Sequence, residues 1–123
     1  MKYFSLNEFE SPDLQGSGVN MDSNFLNMLD QAREYAGIPF RITSGYRTEQ
    51  HNRKVGGKER TESSKGSSHM YGLACDIACT NSKDRYTIVT ALMDAGFNRI
   101  GVGSTFIHVD CDPDKAQDVI WTY

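Results

Sequence analysis

The sequence predicts an α+β fold in which a small antiparallel sheet has helices packed on one side. Two observations carry that expectation. Apolar residues recur at helical spacing in two places, Phe25, Leu29, Ala32 and Ala36 in one and Ile88, Val89 and Leu92 in the other. Around them lie short segments, near residues 40–44, 73–77, 100–102 and 106–109, that alternate or stay apolar over too few residues for a helix. The order is helix, strand, short helix and loop, strand, helix, then two or three strands. A chain of 123 residues suits one hydrophobic core, and a single domain over residues 1–123 is expected.

Taken in order, the stretch to about Asn20 mixes Phe4, Leu6 and Phe9 with serine, proline and glycine, and reads as an irregular arm pinned by its aromatics. Asp22 or Ser23 can cap the first helix, with Leu26 widening its apolar stripe and Gly37 and Pro39 stopping it. Phe40 to Ser44 alternates like a strand, and Gly45 releases it into Tyr46 and Arg47. Thr48 is placed to cap a short helix through Asn52, and the polar, glycine-rich run from Val55 to Lys65 is a loop that could line a groove. Ser82 is placed to cap the second long helix, whose Met93 is expected to pack and which Gly96 ends. Ile100–Val102 and Phe106–Val109, separated by Gly103, Ser104 and Thr105, form a hairpin; Pro113 ends it, and Val119 to Trp121 is a last short strand or packed tail.

Bulk properties exclude several classes of partner. A net charge of −3 supplies no basic surface, so neither nucleic acid nor an anionic membrane is expected. No apolar run is long enough to span a bilayer, and residues 1–5 lack the apolar core of a signal peptide. A soluble monomer made in the cytoplasm is expected. Cys75, Cys79 and Cys111 are an odd number at spacings that fit no disulfide framework, so they are read as thiols.

The chemistry concentrates in Ser67-Ser68-His69-Met70-Tyr71-Gly72-Leu73-Ala74-Cys75-Asp76 and in Phe106-Ile107-His108-Val109-Asp110. Side chains alternate along a strand, so Asp76 shares a face with Ala74, while His108 shares one with Phe106 and Asp110. If the two strands are neighbours, Asp76 and His108 meet, and a turn at Gly72 can fold His69 over the same spot. Two imidazoles and a carboxylate suit a borderline ion such as zinc, with one tetrahedral position left open.

The string Ser-x-His-x-x-Gly-x-Ala-x-Asp followed by a strand-borne His-Val-Asp resembles the zinc D-alanyl-D-alanine carboxypeptidase family, whose metal site is shared with the hedgehog signalling domain and lysostaphin-like peptidases. The resemblance runs from about Phe40 to Asp110 and takes in Ile42 to Thr48 and Gly96 to Gly101. It implies the same α+β fold and one zinc ion held by His69, Asp76 and His108. It also implies hydrolysis of amides in peptidoglycan peptides, at a D-alanyl-D-alanine end or an L-alanyl-D-glutamate link. Arg47 matches an arginine suited to stabilising the oxyanion, and Ser67 matches the motif serine, which can bond substrate or a ligand.

The sequence departs from that pattern at the general base. Many members carry an acid three residues before the last histidine, or a histidine two before it; here those places hold Thr105 and Phe106. Asp110 is the nearest carboxylate and is a candidate either for catalysis or for orienting a zinc histidine, with the second slightly favoured. Glu59 and Glu62 in the loop are further substitutes. Two functions therefore stand: a small cell-wall peptidase, as in a phage-type lytic enzyme released by lysis or carried on a virion, and a non-catalytic zinc-stabilised binding module. His51 reads as an ordinary helix residue.

Overall fold

The computed structural model describes residues 1–123. Helix α1, Ser23–Ala36, begins where the Asp22 side chain accepts from the Phe25 amide and ends at Gly37, as the spacing predicts. A three-residue strand β1, Ile42–Ser44, leads through Gly45 to the short helix α2, Glu49–Lys54, capped by Thr48. Strand β2 is Ala74–Ala78, helix α3 is Ser82–Asp94, and strands β3, β4 and β5 are Arg99–Val102, Phe106–Asp110 and Val119–Thr122.

The five strands form one sheet in the order β1-β2-β4-β3-β5. Three pairings are antiparallel, but β5 adds to β3 in parallel, so the sheet is mixed. The parallel pairing follows from the path of residues 111–118, which cross the end of the sheet instead of turning back beside β4. In β2 and β4 alternate side chains go to opposite faces of the sheet. Cys75, Ile77, Ile107 and Val109 are buried in the core with Phe25, Leu29, Ile88 and Leu92, where α1 and α3 cover one face of the sheet. Asp76 and His108 point to the other face and lie directly opposite each other in the register.

Three local readings are corrected. Asn81, not Ser82, caps α3, because its side chain accepts from the Asp84 amide. Met93 is 53% exposed and does not pack in the core. The first arm is built around two 3-10 turns, Leu6–Phe9 and Ser17–Asn20. Phe4 and Phe9 pin it as expected, their rings 5.5 Å apart, whereas Leu6 is exposed.

Candidate metal centre

The polar face of the sheet carries a cleft of about 520 Å³ with His69, Asp76 and His108 in its wall. Each histidine arrives by a different local device. His69 sits in a 3-10 turn, Ser68–Tyr71, capped by the Ser67 hydroxyl, which accepts from the His69 amide at 3.3 Å. The turn is tied to the strand system where the Arg47 amide donates to the His69 carbonyl at 3.1 Å. His108 is held by β4 with β3 and β2 on its two sides.

The three residues each offer one ligand atom within 4.8 Å of the others, a group that could hold a metal ion. The hydrogen bonds fix which atoms face inward. His69 Nδ1 lies 2.8 Å from the Gly45 carbonyl oxygen and must donate to it, which leaves the Nε2 lone pair facing Asp76 Oδ1 at 3.4 Å. His108 Nε2 lies 2.7 Å from Asp110 Oδ2, and its Nδ1 faces the same Asp76 oxygen at 3.0 Å. One carboxylate oxygen is thus the common focus of two ring nitrogens whose outer nitrogens are both anchored. A lone pair facing an ionised carboxylate oxygen is a poor pairing without a cation between them, so this donor set fits a zinc-like ion.

Charge in the site is set by burial against contact. Burial favours the neutral form of Asp76, but the hydrogen bond from His108 holds its carboxyl well below the usual range. Burial lowers His69 and keeps its ring neutral. His108 is raised, because Asp110 and Asp76 outweigh its burial.

Arg47 is held by three partners. Its Nε donates to Ser44 Oγ at 2.9 Å, Nη1 to Asn52 Oδ1 at 3.2 Å and Nη2 to Asp76 Oδ2 at 3.4 Å. Asp110 has both oxygens engaged. Oδ1 accepts from Arg99 Nε at 2.6 Å and the Asp112 amide at 3.1 Å, and Oδ2 accepts from His108. Ser67 lines the cleft as well, and so does the start of the loop at Val55 to Lys58. The loop acids do not reach it: Glu59 pairs with Arg53 at 2.8 Å, and Glu62 is exposed elsewhere. Thr105 is also absent from the cleft wall, whereas the Phe106 ring forms part of it.

Several residues in the site have no signal in the motif. Asn52 is fully buried and braces both Arg47 and the loop, through the Lys58 carbonyl. Arg99, Lys115, Trp121 and Tyr123 complete the wall from β3 and from the chain after Asp112. Gly101 stands between His108 and Trp121 in the sheet, and a Cβ there would lie 2.7 Å from Trp121 Nε1. Its missing side chain lets the indole lean to 5.5 Å from the His108 ring. The pairing of Gly101 with a tryptophan twenty residues on was the available signal, but it depends on a parallel register that hairpin reasoning does not supply.

A family model described as Peptidase M15 matches residues 2–112. No curated protein matches the chain.

Proposed function

Because the chain belongs to the peptidase M15 family, we propose that it is a zinc-dependent peptidase acting on peptidoglycan stem peptides, with His69, Asp76 and His108 as the metal ligands. The observation that carries this reading is the focus of His69 Nε2 and His108 Nδ1 on Asp76 Oδ1, with both outer nitrogens anchored. A bound zinc ion supplies Lewis-acid polarisation of an amide carbonyl and activation of water.

The remaining roles belong to the protein. Arg47, fixed at three points beside Asp76, presents a permanent positive charge where negative charge grows on the scissile carbonyl oxygen. Gly45 and Asp110 hold the two imidazoles in one tautomer and one orientation, the role that carboxylates and carbonyls take behind metal-binding histidines. Asp110 serves as that orienting partner and not as the proton acceptor, since both of its oxygens are already engaged, Oδ1 by Arg99 and the Asp112 amide and Oδ2 by His108. Ser67 keeps its hydroxyl proton available to a substrate carbonyl while its oxygen caps the His69 turn. One compact unit spanning the chain carries all of these groups, and it works on the cell wall as a lytic enzyme.

A second reading is favoured by one specific feature. Asp76 and Asp110 are the only carboxylates in the cleft wall, and both are engaged, which suits a zinc-stabilised binding module without catalysis. The experiment that separates the two is incubation of the zinc-loaded protein with stem peptides, with products read by mass spectrometry. Cleavage abolished by a chelator and restored by zinc is expected. Stoichiometric zinc without any cleavage establishes the binding module instead.

A further inference from the structure

The charge of the cleft runs against the charge of the chain. Overall the protein carries −3, yet the cleft wall has four fixed cations, Arg47, Lys58, Arg99 and Lys115, against two carboxylates, Asp76 and Asp110. Arg47 and Arg99 are each in contact with one of those carboxylates. Lys58 and Lys115 have no carboxylate partner within the wall itself, so the wall residues sum to a positive charge, and in a recess bounded by protein such a field is focused on whatever enters.

Lys115 is the better placed of the two. Its Nζ donates to the Gly66 carbonyl and to Ser68 Oγ, both at 2.9 Å, so the ammonium is held in position. Its nearest carboxylate is Asp112, with Oδ2 at 3.9 Å, and that group is already taken by Ser68 Oγ at 2.7 Å and Lys65 at 3.0 Å. An ammonium has three donors, and two are used. Lys115 also lies in the segment after residue 112, where the family match ends.

We propose that Lys115 is a substrate-binding residue that takes a carboxylate of the peptide, which makes the cleft selective for anionic stem peptides. This rests on the peptidase reading for its substrate class. The carboxylate has two sources in such a peptide, the free carboxyl of the glutamyl residue and the C-terminus. Trp121 is the only tryptophan in the chain and lies in the same cleft, so its fluorescence reports binding directly.

The test is stopped-flow quenching of that fluorescence in the zinc-loaded protein, read before turnover. Its probes are L-alanyl-γ-D-glutamyl-L-lysyl-D-alanyl-D-alanine and two versions amidated at one carboxyl each. Amidating one of the two is expected to weaken binding roughly tenfold, as for loss of a charge-assisted hydrogen bond, and shows which carboxylate is bound. Lys115→Met should bind all three alike, and Lys115→Arg should recover the preference; Lys115→Gln replaces the methionine variant if that one does not fold. The proposal is overturned if the wild type binds all three equally or not at all, or if the uncharged variant keeps the preference. Carboxylate preference without cleavage sinks the peptidase reading and leaves this one standing; cleavage without preference does the reverse.

Discussion

Arg47 and Asp110 differ in what their removal should do, because in the proposed site one would face the substrate and the other a metal-binding histidine. Arg47→Ala is expected to lower kcat about a hundredfold to a thousandfold, the usual cost of one oxyanion donor, with zinc content and melting temperature near wild type. Arg47→Lys should rescue little, since a lysine supplies a point charge without the planar fork that spans Ser44, Asn52 and Asp76. A variant that loses zinc or unfolds would make Arg47 scaffold. Asp110→Ala should instead weaken zinc about tenfold to a hundredfold by equilibrium dialysis, as expected for a partner that orients a metal histidine. Unchanged zinc affinity with lost turnover would return Asp110 to the role of proton acceptor. At this scale the three converging residues were legible because alternation marks out Asp76 and His108 and the turn at Gly72 can return His69, whereas the register that sets Asp76 against His108 came only with the fold. Asn52, Arg99 and Lys115 were not, since each acts through a partner between 5 and 49 positions away that no local pattern encodes.

Elements position the site by close backbone approach as much as by side chains. Gly45 shows this: its carbonyl holds His69, and a Cβ at Gly45 would lie 2.6 Å from the Phe9 backbone in the first arm. The arm is tied there by the Tyr46 amide donating to the Phe9 carbonyl at 2.8 Å. Gly45→Val should therefore push the arm away and destabilise the fold by about 1–3 kcal/mol, the usual range for overpacking, measured by denaturant unfolding. A variant as stable as wild type would show that the arm does not clamp this strand end. Strand β2 carries a second expectation. Cys75 is fully buried, Cys79 nearly so, and burial pushes the Cys111 thiol up to about 11, which leaves little reactive thiolate. Titration of denatured, unreduced protein should find three thiols; a reproducible value of one would mean a disulfide. The helices, their stops and the hairpin were legible because periodicity and turn residues are local, although the cap of α3 lies one residue before the expected Ser82, at Asn81. The parallel β5 was not, because its register is chosen by the crossing of residues 111–118 and by the room that Gly101 leaves for Trp121.

Across the whole molecule the sheet divides two jobs: α1 and α3 close one face into the core, and the other face is left polar and open as the cleft. The site is also where distant parts of the chain meet, since β2, β4, the turn at Ser68–Tyr71 and the segment after residue 112 all contribute to its wall. Zinc held at that junction should stabilise the fold, because the unfolded chain does not bring His69, Asp76 and His108 together. At free zinc a hundredfold above its dissociation constant the linkage is worth about 2.7 kcal/mol. For a chain of this size that corresponds to a rise of roughly 10 °C in melting temperature. Calorimetry should show one cooperative transition that moves up with zinc and back down with chelator, as befits the proposed single unit. His108→Ala should melt at a temperature that zinc no longer changes. A zinc shift that survives in this variant would place the ion elsewhere, and two separable transitions would break the chain into more than one folding unit.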